Sequence, residues 1–205
     1  MTNPVSVPSP ESGILIGSDG IARCAWAGND AEYIRYHDEE WGQPVHDDQR
    51  LFEKLSLEGF QSGLSWLTIL RKRENFRRAF DHFDIHKIAA YQDDKVTELL
   101  NNAGIIRHRG KINAVINNAA CAIKLQDEFG SLDAYFQKFK PAHHAPLETL
   151  SQAKARTTSP QSIAMAKDMK KRGWKFIGPT TAYAFMQAMG LINDHFTACH
   201  MHKKV

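Results

Sequence analysis

Between residues 93 and 123, apolar side chains recur at helical spacing on both sides of one short, basic, glycine-bearing stretch. No other feature limits the fold of this chain as tightly. Val96, Leu99, Leu100 and Ala103 fall at i, i+3, i+4 and i+7, and Ile112, Val115, Ile116, Ala119, Ala120 and Ile123 carry the same period onward. Between them lies Ala103-Gly104-Ile105-Ile106-Arg107-His108-Arg109-Gly110-Lys111. Two glycines permit positive φ or close backbone approach, so a tight hairpin between two helices is predicted, with Gly104 as C-terminal cap of the first. The second helix begins near Arg107 to Lys111, where free N–H groups and the positive dipole end can face an anion. Arg107, Arg109 and Lys111 then either clamp a phosphate or lie solvated on an ordinary corner, and the stretch admits both.

The remainder reads as helix too. Leu51, Phe52 and Leu55 predict a helix over about 48–62, and Leu67 and Leu70 one over about 64–79. Ser159-Pro160 opens a further helix as cap and first-turn proline, with Gly173 to close it. Ala182, Phe185, Met186 and Met189 form an apolar stripe ending at Gly190. No stretch alternates convincingly with period 2, so the fold class is all-α. Three prolines and three serines among the first twelve residues predict a flexible N-terminal tail over 1–20, followed by a single domain over 21–205.

At 205 residues and 42% hydrophobic, with no apolar run approaching the ~18 residues of a membrane span, the chain reads as a water-soluble globular domain. Met1 to Gly20 carries no Lys or Arg and no long apolar run, unlike a secretory signal. Cys24, Cys121 and Cys199 are too few and scattered for a disulfide scaffold, which points to a reducing cytoplasm. Net charge is only +3, but residues 1–60 hold 4 basic and 11 acidic side chains against 22 and 12 in residues 61–205. The basic excess falls in three clusters: Arg71-Lys72-Arg73 with Arg77-Arg78; Arg107, Arg109 and Lys111; and Lys167, Lys170-Lys171-Arg172 and Lys175. A polyanion such as DNA suits such clusters, because each cation on a phosphate releases condensed counterions. Solvated helix faces are the alternative for each cluster alone.

Two further constellations carry chemistry. Cys24 and His37 lie near one end of the chain and His195 and Cys199 near the other, the last two one turn apart if their segment is helical. Together they would close a tetrahedral zinc site, structural for want of an open position; His200, His202 and Cys121 are rival ligands, and unrelated buried residues the alternative. The aromatics Trp26, Tyr33, Tyr36, Trp41, Phe52, Phe60 and Trp66 crowd the first third beside Asp38, Glu39, Glu40 and Glu58. They could simply be core. They could also wall a pocket whose one carboxylate meets an extruded, cationic base.

Several longer runs bear a resemblance. Arg23-Cys24-Ala25-Trp26, Tyr33-Ile34-Arg35-Tyr36-His37-Asp38-Glu39-Glu40-Trp41-Gly42 and Leu57-Glu58-Gly59-Phe60-Gln61-Ser62-Gly63-Leu64-Ser65-Trp66 closely resemble the constitutive bacterial 3-methyladenine DNA glycosylase family. So do Lys72-Arg73-Glu74-Asn75-Phe76, the stretch 103–112, Phe176-Ile177-Gly178-Pro179-Thr180-Thr181 and Gly190-Leu191-Ile192-Asn193-Asp194-His195. The resemblance spans about residues 21–200. It implies the helix-hairpin-helix glycosylase fold, with the hairpin at 103–111, and one structural zinc bound by Cys24, His37, His195 and Cys199. It implies a base pocket with Glu58 as its catalytic carboxylate and Tyr36 and Trp66 on the base, with Tyr33, Trp26 and Trp41 lining or supporting it. Gly63-Leu64 match a wedge that fills the gap left by a flipped nucleotide, and Gly104, Arg107, Arg109 and Lys111 match the DNA-holding hairpin.

The implied activity is hydrolysis of the N-glycosidic bond of 3-methyladenine in alkylated duplex DNA. The partners are then that DNA and the free base, with no membrane, and the chain is expected to be a cytoplasmic monomer. The wider superfamily carries an essential Asp beyond the hairpin; here Asp127, Glu128 and Asp133 lie near an expected helix end and need not serve. A base methylated at N3 leaves as a neutral molecule, which makes a general acid dispensable. Two rivals remain: a glycosylase/lyase using Lys111 as Schiff-base amine, and a DNA-architecture module without chemistry.

Overall fold

The structure, a computed structural model, describes residues 10–205. Two short antiparallel strands come first, β1 (Ile14–Ile16) and β2 (Ala22–Cys24), paired Ile14 to Cys24 and Ile16 to Ala22. The helices follow: α1 (Ala31–Glu39), α2 (Asp48–Gln61), α3 (Trp66–Leu70), α4 (Arg73–Ala79), α5 (Ile85–Ala89), α6 (Asp93–Asn101), α7 (Arg109–Phe129), α8 (Leu132–Gln137), α9 (Leu150–Ala155), α10 (Pro160–Lys171) and α11 (Pro179–Ala188). No helix among the described residues is long and apolar enough to cross a membrane.

Local chemistry sets most helix starts. Asp30 accepts from the N–H groups of Glu32 and Tyr33 to open α1, Asp47 from Arg50 to open α2, and Ser65 from Thr68 to open α3. Ser159 and Ser162 cap α10 reciprocally, with Pro160 in its first turn, as predicted. The stripe expected from residue 112 onward holds in part: Ile112, Val115 and Ala119 lie on the buried face of α7, joined there by Ala122 and Leu125, whereas Ile116 and Ile123 are half-buried and Ala120 is exposed. That face packs on α2, α5, α6 and α8, which makes α7 the central helix. Ile112, Val115 and Leu125 each contribute about 1.5–3 kcal/mol when fully buried.

Three expectations change. The composition predicts a tail over residues 1–20; residues 1–9 lie outside the described residues, but 14–16 form β1. Its backbone pairs with β2, and Gly13 is held so closely over the Phe196 ring that an added Cβ would lie 2.3 Å from it. Strands of three residues are too short to display alternation. The helix expected over 64–79 is interrupted at Arg71-Lys72 into α3 and α4. No Gly or Pro marks the break; it coincides with tertiary bonds, Lys72 Nζ donating to the Ala103 and Gly104 carbonyls and Arg73 pairing with Glu40. Finally, neither Gly104 nor Gly110 has positive φ. Gly104 is needed for closeness, since a Cβ there would meet Asn102 Oδ1 at 2.9 Å and Asn75 at 3.2 Å.

Candidate active site

The C-terminal half of α2 is buried through Phe60, including the polar Lys54, Ser56 and Glu58. A charged helix face turned inward needs partners. Beside it lies a cavity of about 220 Å³. That is below the ~300–1,000 Å³ of drug-sized ligand sites and suits one heterocycle. Glu58 lines it together with Trp26, Tyr33, Tyr36, Trp41 and Trp66, so all six residues expected at a base pocket share one wall system. The rings support one another: Trp26 lies 5.1 Å from Tyr33 and 4.9 Å from Trp41, and Tyr36 lies 5.4 Å from Trp66, centroid to centroid. Burial first, then the nearby Glu58 charge, pushes the Tyr33 and Tyr36 phenols up, so both stay neutral donors or acceptors.

Four groups in the cavity wall or directly behind it escape sequence reasoning. Lys54 Nζ lies 2.8 Å from Glu58 Oε1 and donates to the Tyr36 hydroxyl at 2.7 Å. The only sequence signal for it is the i, i+4 spacing of Lys54 and Glu58 on α2. Gln61 and Gln187 add amides to the wall, and Asp194 adds a second carboxylate. Asp194 is spoken for: it accepts from Tyr183 at 2.5 Å and Gln187 at 2.8 Å and pairs with His144 at 2.6 Å and Arg156 at 3.3 Å. Burial opposes its charge, but these partners outweigh burial and hold its carboxyl below the ordinary range. Asp194 ties the C-terminal segment to α11 and is no free base.

Leu64 is 40% exposed in the turn between α2 and α3, flanked by Gln61 and Trp66 of the cavity wall. Gly63 has φ +84°, a left-handed turn that a side chain would strain, so Gly63-Leu64 presents an apolar tip at the rim.

Behind the cavity the two chain ends meet. Cys24, His37, His195 and Cys199 are all buried, with one ligand atom from each lying within 4.8 Å of the others. Cys199 Sγ stands 3.4 Å from His37 Nε2 and 3.6 Å from His195 Nδ1, and Cys24 Sγ is 3.6 Å from the same Nδ1. A tetrahedron with bonds of ~2.3 Å to sulfur and ~2.0–2.1 Å to nitrogen has edges of about 3.5 Å, so the set fits a four-coordinate metal. The outer nitrogens are satisfied as such ligands require: His37 Nδ1 bonds Asp38 at 2.7 Å and His195 Nε2 donates to the Trp41 carbonyl at 3.1 Å. Asp38 is itself held by Arg23 and His200. Bonding to Cys24 draws the Cys199 thiol down, and the same contact pushes the Cys24 thiol up. His195 and Cys199 do meet, though on a chain of turns and not on a helix. Cys121 lies elsewhere, against Arg172 and Asn117.

The hairpin between α6 and α7 requires one correction. Arg107 and Arg109 are exposed, but Lys111 is buried, its ammonium donating to the carbonyls of Phe60 at 2.8 Å and Ser62 at 2.6 Å. It caps the C-terminal end of α2, where unpaired carbonyls and the negative dipole end favour a cation. Lys111 is therefore neither a phosphate ligand nor an exposed Schiff-base amine. The basic cluster around Arg71 is likewise mostly committed: Arg71 pairs with Asp30, Arg73 with Glu40, and Arg77 with Glu53 and Glu74. Arg107, Arg109, Lys167, Lys170 and Lys175 are exposed without an ion pair among the described residues. Phe176, 45% exposed with φ +59°, stands beside the hairpin against His108, and sequence reasoning gave it no role.

Comparison with known proteins agrees with this geometry. The family model described as methyladenine glycosylase matches residues 26–202. The DNA-3-methyladenine glycosylase 1 of Escherichia coli K12 is 46% identical over 183 residues, covering 87% of this chain and 96% of that protein. A crystal structure of a 3-methyladenine DNA glycosylase I superposes with TM-score 0.82 at 48% identity, covering 88% of this chain and 99% of the other. A variant of a 3-methyladenine DNA glycosylase I in complex with 3-methyladenine superposes with TM-score 0.81 at 33% identity, covering 87% and 96%. Matched from the cavity aromatics to the C-terminal turns, this chain belongs to the methyladenine glycosylase family.

Proposed function

We propose that the protein is a monofunctional DNA glycosylase that releases 3-methyladenine from alkylated duplex DNA and leaves an abasic site. The observation that carries this reading is the aromatic cavity of about 220 Å³ with Glu58 in its wall, in a chain of this family. The flipped base lies among Tyr36, Trp66 and the supporting rings of Tyr33, Trp26 and Trp41. The Glu58 carboxylate accepts from its exocyclic amine at C6, a position where a purine with a C6 carbonyl offers no N–H donor. Leu64, on the Gly63 turn, fills the vacated stack and offsets part of the unstacking cost.

Methylation at N3 gives the adenine a positive charge. The C1′–N9 bond breaks with its electron pair passing to the base, which departs neutral, and the sugar becomes oxocarbenium-like. Water adds at C1′ and loses a proton. The protein's tasks are then selection, extrusion and holding, which agrees with an Asp194 fully occupied in structure. The test is release of free base from methylated duplex DNA, identified by chromatography, with no borohydride-trapped adduct. Trapping at a lysine, or no base release, rejects the reading.

The Cys24, His37, His195 and Cys199 set is proposed to bind one structural zinc, which when bound neutralises the thiolates and staples the chain ends. The α6–α7 hairpin is proposed as a helix-hairpin-helix phosphate clamp acting through Arg107 and Arg109, with Gly104 permitting its close seating. Arg107→Ala with Arg109→Ala weakens DNA binding across sequences and flattens the log–log salt dependence by about 1.8, for two phosphates at ~0.9 each. Affinity for free base stays unchanged. Lys111→Met behaves differently, lowering stability by about 1.5–3 kcal/mol, as expected for hydrogen bonds from a charged group, with little change in salt slope. Salt titrations by fluorescence anisotropy and urea denaturation separate the two.

A further inference from the structure

Folding alone does not explain Lys54. Its side chain is 7% exposed, and a buried ammonium must be paired. It does not line the base cavity; it lies behind the wall, where three cavity residues converge on it. Nζ is 2.8 Å from Glu58 Oε1, 2.7 Å from the Tyr36 hydroxyl and 3.2 Å from the centroid of the Trp66 ring. An ammonium has three N–H donors, and Glu58, Tyr36 and the Trp66 face provide three acceptors. Helix stability does not account for the pair, because Lys preceding Glu at i, i+4 is the weaker orientation.

We propose that Lys54 is a positioning residue for base recognition, a buried counter-ion that keeps Glu58 a charged, fixed acceptor and backs the Tyr36 and Trp66 surfaces before the base arrives. This rests on the reading of the cavity as the base site. Other charges around Glu58 have partners of their own. On the α1 side, Glu40 is taken by Arg73 of α4, with neutral Tyr33 and Tyr36 beside it. On α2, Glu53 is taken by Arg77. Next to α11, Asp194 is taken by His144 and Arg156. Arg50 borders the small space behind Lys54 with those pairs. Among the described residues Lys54 is the cation paired with Glu58. Burial draws the Lys54 ammonium down, and the Glu58 charge beside it draws it back up. Without the ammonium, the enclosed carboxylate takes up a proton in place of standing as an isolated charge, and a protonated Glu58 no longer offers the base a charged acceptor.

The test is calorimetric titration of free 3-methyladenine from about pH 8.5 to about pH 6 with wild type, Lys54→Met, Lys54→Gln and Glu58→Gln. Every affinity is taken as a ratio to wild type in the same buffer, so the ligand's own protonation cancels. The two Lys54 variants should lose affinity relative to wild type progressively as pH falls, about ten-fold or more over the range, since a single pH step can change the charged fraction of a carboxyl about ten-fold. The Glu58→Gln ratio should be low and constant. Ratios for both Lys54 variants that do not change with pH overturn the proposal. Wild type that fails to bind the base, or Glu58→Gln that binds like wild type, instead removes the base-site reading and this inference with it. If both Lys54 variants unfold, the Lys54→Met/Glu58→Gln double variant decides. A folded double variant supports the pairing, and an unfolded one makes Lys54 a packing residue and overturns the proposal.

Discussion

Glu58→Gln is expected to lower single-turnover release of 3-methyladenine by about ten-fold or more, corresponding to the ~1.5–3 kcal/mol of a hydrogen bond to a charged group. Glutamine keeps the size and one acceptor oxygen but loses the charge, and charge-assisted bonds are roughly twice as strong as neutral ones. Release is not abolished, because the substrate's own positive charge already weakens the glycosidic bond. The substitution also leaves Lys54 without its counter-ion at 2.8 Å, so some stability is lost as well. Circular dichroism and a DNA-binding titration on the same preparation separate the two effects. A folded, DNA-competent Glu58→Gln protein that excises at the wild-type rate would place base recognition elsewhere in the cavity.

Metal analysis is expected to return about one zinc per chain. Cys199→Ala removes one of four ligands from a cluster that joins β2 and α1 to the C-terminal turns, and should abolish stoichiometric zinc. A loss of about 3 kcal/mol corresponds to a fall in Tm of about 6–12 °C for a chain of this size. The main core on α2, α7 and α11 is separate from the small cluster of Cys24, Leu147, Phe196, Cys199 and Met201, so a folded fraction should survive. The cavity should loosen in that fraction, because Trp26 stands 5.2 Å from His37 and Trp41 stands 4.6 Å from His195. Base affinity then falls with metal content, while DNA binding through Arg107 and Arg109 is retained. Mass spectrometry, thermal unfolding with and without chelator, and base titration provide the readouts. Metal-free protein of undiminished Tm rejects the site.

Periodicity and caps made the helical skeleton legible before any coordinates. The buried stripe of α7, the cap at Ser159-Pro160 and the bounds of α2 depend on neighbours within a few residues, and such local preferences are written along the chain. The family runs likewise named the six cavity residues and three of the four metal-ligand candidates, Cys24, His37 and His195, because these sit in those motifs; Cys199 lies just beyond the last run and was singled out by residue type and its spacing from His195. The sites of partnership were not legible. Lys111 follows Arg107 and Arg109 in one basic run, yet it turns inward to the Phe60 and Ser62 carbonyls while they face solvent. Which way a lysine turns depends on what lies within reach of its flexible stem, and that is set by the packing of α7 on α2. The ion pairs that neutralise Arg71, Arg73 and Arg77, the break between α3 and α4, and the brief strands at 14–16 and 22–24 belong to the same class. Residue types and their spacing thus determined the helices, the family and the roster of reactive groups. Tertiary structure alone decided which charges are spent on one another, because a charge is compensated by distance in space and not by separation along the chain.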